Sequence, residues 1–434
     1  MFFLKILIKN GRVIDPANNI DEICDIFVED GKIKEIDKNI TKENEKTINA
    51  DKMWVTPGLI DMHVHLREPG FKYKETISTG TKSAAMGGFT TICAMANTKP
   101  TVDNEIIVEY INSKIQKEAI INVFQVGAIT KDLAGEELSQ IGEMKKVGIC
   151  AISDDGLSVK NANLLKQAMK YANMFDLPIL SHCEDTDLTA KGQINSGKHS
   201  DFMGFRGISN DSEELIVSRD IILANSVDAR LHIMHVSARE SLEHIRFAKS
   251  KGQKVTAEVC PHHFTLCDED IKEYDANFKM SPPLRAKEDV EALIKALQDG
   301  TIDVIATDHA PHHKDEKNCE FELAANGIVG LETAVPLCIT ELVNKNILSP
   351  KELIEKLTIN PARILNLNKG TLSVGADADI TIIDPNLKYK IDKNKFESLS
   401  KNTPFHGREV QGKAAFVIVN GKIVLDNGEL CKTI

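Results

Sequence analysis

The sequence predicts an α/β protein, a (β/α)8 TIM barrel with a small β domain formed from both chain ends. Three observations carry that expectation. In the middle of the chain eight short apolar runs alternate with stretches of helical period, the texture of repeated βα units. Short strands punctuated by Asn-Gly and Asp-Gly turn signals occupy the two ends. Residues able to hold a metal ion fall at the ends of the apolar runs, where a barrel gathers its function.

Taken in order, residues 1–55 form the first part of the β domain. A strand over residues 4–8 leads to a turn at Asn10-Gly11, and residues 26–29 pair with 32–36 through Asp30-Gly31. Residues 1–8 are apolar but few, carry Lys5 and lack a small-residue cleavage site, so they read as strand rather than leader. The barrel spans residues 56–367, with strands near 55–64, 88–96, 121–128, 148–153, 178–182, 230–236, 254–260 and 302–307. An open doubly wound sheet is the alternative, but no GxGxxG follows the first strand. From 368 to 434 the β texture returns, with a strand at 379–384 and a hairpin of 414–419 and 422–425 about Asn420-Gly421. Each end would otherwise leave open strand edges, so the two ends should pair with each other.

Composition narrows the function. Of the charged residues, 53 are Lys or Arg and 64 Asp or Glu, a formal charge of −11. The basic residues are interspersed with acidic ones, which argues against nucleic-acid binding while leaving room for a small anionic substrate in a locally cationic pocket. No run reaches the ~18 apolar residues of a membrane span. Nine cysteines without a CxxC frame read as reduced thiols in a cytoplasmic protein.

The organising stretch is Asp61-Met62-His63-Val64-His65-Leu66-Arg67-Glu68-Pro69-Gly70. In an extended strand residues i and i+2 share a face, so His63 and His65 present two imidazoles to one ion, with Arg67 aimed the same way if the strand persists. An HxH pair alone is weak, but further strand ends carry Asn97, Asp154-Asp155, His182, His235 and Asp308. His63, His65 and Asp308 would hold one metal, His182 and His235 a second, and Asp155 would bridge them. Asp154 competes for the bridge; Asp155 is preferred, leaving Asp154 to helix entry or support. His309 and His313 alternate away from the ligands, and His262 and His263 suit structural or rim positions. A metal-bound water that loses its proton near neutral pH is a nucleophile for a carbonyl carbon. Asp308 would accept the water proton and pass it to the departing nitrogen. The predicted reaction is hydrolysis of a C–N amide bond.

The stretch from Asp61 to Gly70, and Ala306-Thr307-Asp308-His309-Ala310-Pro311-His312 with Lys317 after it, resemble the two dihydroorotase signatures of the amidohydrolase superfamily, long bacterial and archaeal type. The resemblance covers essentially the whole chain. It implies interconversion of N-carbamoyl-L-aspartate and L-dihydroorotate in pyrimidine synthesis, with one or two zinc ions per subunit at His63, His65, Asp155, His182, His235 and Asp308. It also implies Arg67, Asn97 and His312 as substrate-binding groups, an Arg fork suiting a carboxylate. Many relatives bridge the metals with a carbamylated lysine; here Ile152-Ser153-Asp154-Asp155-Gly156 has none and is similar to the branch with aspartate. Two further departures touch substrate positions: Ser281 stands where asparagine is usual, and Ala325-Asn326-Gly327 where Pro-Phe-Gly is common, making Ser281, Asn326 and Gly327 candidate contacts. A homodimer is expected, and association with aspartate transcarbamoylase is compatible with the resemblance. The rival readings are an allantoinase or dihydropyrimidinase, which generally keep the bridging lysine, and a metal-free structural partner, which would lack ligands present here.

Overall fold

Eight parallel strands form the barrel of the computed structural model, which describes residues 5–43 and 45–431. They are β1 (Leu59–Val64), β2 (Phe89–Ala94), β3 (Asn122–Gly127), β4 (Ala151–Ile152), β5 (Ile179–Ser181), β6 (Leu231–Ile233), β7 (Val255–Val259) and β8 (Val304–Ile305). Each pairs with the next in chain order. The ring closes just beyond the strand ends, where Val64 bridges His309 in parallel and the His65 N–H donates to the His309 carbonyl at 2.9 Å. Met62, Cys93, Val126, Ala151, Leu180, Met234 and Val304, contributed around the ring, form one buried cluster. The barrel is therefore a filled core whose chemistry is confined to its mouth.

Both chain ends build a separate sheet. Ile6–Asp15 pairs antiparallel with Ile20–Glu29 and parallel with Trp54–Pro57, which pairs in turn with Ile380–Lys390 from the other end of the chain. The period of two is visible in Glu409–Val419: Phe416 and Ile418 pack inside the sheet's own core, while Val417 and Val419 join the core shared with the barrel. The turns at Asp30-Gly31 and Asn420-Gly421 are present, all four residues with positive φ as tight hairpins require.

Three sequence expectations are corrected. Asn10-Gly11 is not a turn: one strand runs from Ile6 to Asp15 and takes up these two residues as a bulge, the register shifting between Ile8 and Gly11. A Cβ at Gly11 would stand 2.3 Å from Val55 Cγ2, so close approach of the neighbouring strand explains the glycine. Of the strand expected at 4–8, Leu4 lies outside the described residues, as do the earlier residues of the expected N-terminal strand. The apolar run expected as a single strand at 55–64 is two strands. Trp54–Pro57 belongs to the flanking sheet and Leu59–Val64 to the barrel, with the Gly58 N–H turned to the Asp379 carbonyl at 2.8 Å. A boundary between residues 55 and 56 thus falls inside a strand of the flanking sheet.

The C-terminal region also returns to the barrel mouth. Buried Glu75 accepts hydrogen bonds from Ser398 Oγ and the Leu399 N–H. Asn402 donates to the carbonyls of Ala310 and Gly327 and accepts from the His312 N–H. Among the described residues none of the nine cysteines is paired, and no helix is long and apolar enough to cross a membrane.

Candidate active site

The six candidate ligands meet at the barrel mouth, all buried. His63 is in β1 and His65 follows it; Asp155, His182, His235 and Asp308 follow β4, β5, β6 and β8. His65 Nε2 stands 3.0 Å from Asp308 Oδ1 and 3.3 Å from Asp155 Oδ2. His63 Nε2 is 3.4 Å from both Asp155 Oδ1 and Asp308 Oδ1. His182 Nδ1 lies 2.8 Å from His235 Nε2 and 3.6 Å from Asp155 Oδ1. Asp155 therefore lies among all four imidazoles, His235 Nε2 being 3.9 Å away. His235 and Asp308 both have left-handed backbone, φ 33 and 47, where the chain turns sharply out of a strand. That conformation is uncommon outside glycine, though Asp and His adopt it more readily than most, and it is held here by the surrounding structure.

Two triads, His63–His65–Asp308 and His63–Asp155–His235, bring one donor atom per residue within 4.8 Å of each other. His63 Nε2 and His182 Nε2 are buried with no hydrogen-bond partner among the described residues. Packing nitrogen and carboxylate donors with unspent lone pairs is costly unless a cation satisfies them, so the residues fit a metal site. Burial, then the neighbouring His182 and His63, lower His235 to about 3, leaving it neutral. Burial opposes protonation of His182, but the carboxylates of Asp155 and Glu184, 3.6 and 3.7 Å from its ring nitrogens, raise it to about 10, so a cation there displaces a proton.

Asp154 turns away from this cluster. Its Oδ1 accepts the N–H groups of Ile129 and Thr130 at 2.8 and 2.9 Å, and Oδ2 takes the Thr130 hydroxyl. His309 stands 3.3 Å from Glu75, His313 accepts the Asp315 N–H at the start of a short helix, and His262 and His263 group with Cys260 instead.

The candidate substrate contacts surround the cluster unevenly. β1 ends at Val64 and Arg67 is left-handed, φ 58, so the expected strand alternation does not carry its side chain. The guanidinium is placed by its Nε–H donating to the Pro311 carbonyl at 3.1 Å, with Nη2 3.4 Å from His312 Nε2. Burial, then the charges of Arg67, Lys74 and Lys317, hold His312 neutral by lowering it to about 2. Asn97 Oδ1 is 2.9 Å from His65 Nδ1, and its Nδ2 donates to Asp155 Oδ2 at 3.3 Å. Ser281 donates to Glu184 at 3.0 Å, and Glu184 lies 3.7 Å from His182 Nε2. Gly327 has φ 124, and a Cβ there would meet Ala310 Cβ at 2.6 Å and His312 Nε2 at 3.4 Å. Asn326 is exposed.

Sequence reasoning passed over three carboxylates. Glu184 links Ser281 to His182. Asp61 accepts the N–H groups of His63 and Thr307, joining β1 to the segment after β8, and burial raises it to about 7. Glu258 contacts His63 and His232. The available signal for Glu258 was an acid within the apolar run Val255-Thr256-Ala257-Glu258-Val259.

A barrel whose mouth gathers four histidines and two aspartates beside an arginine defines an amidohydrolase of the TIM-barrel class, and the comparisons agree. The fold is similar to that of the L-hydantoinase (dihydropyrimidinase) from Arthrobacter aurescens, TM-score 0.90 and 27% identity, covering 99% of this chain and 98% of that one. A second solved structure, a D-hydantoinase, has TM-score 0.87 at 25% identity, covering 99% and 96%. A family model described as dihydro-orotase-like matches residues 52–241. In sequence the chain is 53% identical to the dihydroorotase of Acetivibrio thermocellus, covering 96% of this chain and 98% of the relative. It is 50% identical to that of Ruminiclostridium cellulolyticum, covering 97% and 99%. The chain belongs to the dihydroorotase family and is a cyclic amide hydrolase.

Proposed function

We propose that this protein interconverts N-carbamoyl-L-aspartate and L-dihydroorotate, using zinc held by His63, His65, Asp155, His182, His235 and Asp308. The observation that carries it is the buried convergence of these side chains beside Arg67, in a chain half identical to dihydroorotases. When bound, zinc lowers the pKa of water and polarises a carbonyl oxygen. The chain's own residues do the rest. Arg67 and neutral His312 receive the substrate carboxylate, the guanidinium pre-aimed by Pro311. Ser281, Asn97, Asn326 and Gly327 border the ring. As the ring opens, water adds to the amide carbonyl carbon, Asp308 takes the water proton and delivers it to the ring nitrogen as the C–N bond breaks. Ring closure reverses the same transfer.

The test is ring closure of N-carbamoyl-L-aspartate by the purified protein, followed by dihydroorotate absorbance, with zinc quantified in the same sample. Turnover with bound zinc supports the proposal. Zinc with hydrolysis of allantoin or dihydrouracil alone would replace the substrate, and absence of zinc and turnover would overturn it. A homodimer in the cytoplasm, able to associate with aspartate transcarbamoylase, is part of the same proposal. Sedimentation of the pure protein and of the mixture checks the assembly.

A further inference from the structure

Glu258 lies in β7 with no solvent exposure. Its Oε1 accepts from His63 Nδ1 at 2.7 Å and from the His235 backbone N–H at 3.2 Å. Its Oε2 stands 3.1 Å from His232 Nε2, and His232 Nδ1 is 2.8 Å from Thr256 Oγ1. One carboxylate thus ties β1 and β6 to β7, touching the candidate ligand His63 in β1 and the backbone of the candidate ligand His235 just after β6.

Two physical consequences follow. An imidazole that donates Nδ1–H to a carboxylate keeps its lone pair on Nε2. Nε2 is the His63 atom that is buried without a hydrogen-bond partner and aimed at Asp155 and Asp308. The bond to the His235 N–H restrains the residue whose left-handed backbone turns the chain at the end of β6. His232, anchored on Thr256, occupies the second carboxylate oxygen and keeps the group from rotating away.

We infer that Glu258 is a positioning residue for the metal centre, selecting the His63 tautomer that can ligate and holding the turn that presents His235. The inference rests on the metal site proposed above. Among the described residues the polar partners of Glu258 are His63, His232 and the His235 N–H, not Arg67 or His312, so its effect falls on the metal and not on the substrate carboxylate.

The experiment compares Glu258→Gln and Glu258→Ala with His63→Ala in the full-length protein. Zinc affinity is measured by competition with a chromophoric chelator, thermal unfolding on the zinc-stripped protein, and KM at saturating zinc. Zinc affinity should fall about 100-fold in Glu258→Ala and about tenfold in Glu258→Gln, whose amide oxygen still accepts from His63. KM at saturating zinc should stay near the native value in both. If Glu258→Ala fails to fold, Glu258→Gln decides. Native zinc affinity in the Glu258 variants, with zinc lost in His63→Ala, would overturn the inference and leave the metal site standing. Native affinity in His63→Ala as well would overturn both. A KM that rises in the Glu258 variants at saturating zinc would place the residue in substrate binding and refute the positioning role.

Discussion

Arg67→Lys isolates the geometry of the cation from its charge. The backbone at residue 67 is left-handed, which is as unfavourable for lysine as for arginine, so the change adds no conformational strain. Arginine spends Nε on the Pro311 carbonyl and keeps its outer nitrogens facing the site beside His312. Lysine has a single nitrogen: it can serve the Pro311 carbonyl or a substrate carboxylate, and it cannot fork. The loss is about one charge-assisted hydrogen bond, roughly 1.5–3 kcal/mol. At about 1.4 kcal/mol per tenfold this becomes a rise of about 10- to 100-fold in KM for N-carbamoyl-L-aspartate. Because carboxylate binding is made equally in the ground and transition states, kcat should change little. Initial rates of ring closure over a substrate series, with zinc content measured on each sample, provide the assay. A KM within twofold of the native value at equal zinc content would refute the reasoning and move the carboxylate site away from Arg67.

Asp308→Ala should lower turnover by about 10²- to 10⁴-fold with far-ultraviolet dichroism unchanged, since the proton carrier is lost; a near-native rate would remove Asp308 from that role. The adjacent acids should separate cleanly. Asp155→Asn should lose zinc, whereas Asp154→Ala should keep zinc and lose about 1–3 kcal/mol in denaturant titration, because two buried N–H groups lose their acceptor. The opposite pattern would exchange their assignments. Glu332 gives a pH signature. Burial, against hydrogen bonds from Ser83 and the Ser398 and Glu397 N–H groups, raises it from its ordinary 4.5 to about 7. The native chain then binds more protons than the unfolded chain across that interval, so this group makes stability fall as pH rises from about 4.5 to about 7. Glu332→Gln should flatten that fall in melting temperatures between pH 5 and pH 8; parallel curves for the two proteins would contradict it.

What the sequence by itself determined was local and periodic. Eight apolar runs and the Asx-Gly signals at both ends announced the barrel and its flanking sheet, because strand identity depends on residues a few positions apart. The ligand candidates were legible for the same reason: histidines and aspartates at the ends of apolar runs are conspicuous, and a barrel leaves such ends a single place to go. Tertiary structure decided everything that depends on a distant partner. Asn10-Gly11 is a bulge because Val55 of a neighbouring strand lies against it. Residues 54–64 divide between two sheets because Trp54–Pro57 pairs with Ile380–Lys390 from the far end of the chain. Asp154 and Asp155 are adjacent and chemically identical, and only the approach of the Ile129 and Thr130 N–H groups turns one from the site. Glu258 meets His63, 195 positions away in the chain, and Asn402 reaches Ala310 across 92. No local pattern encodes those meetings; they exist because barrel closure brings strand ends together and buries polar groups that must then find partners.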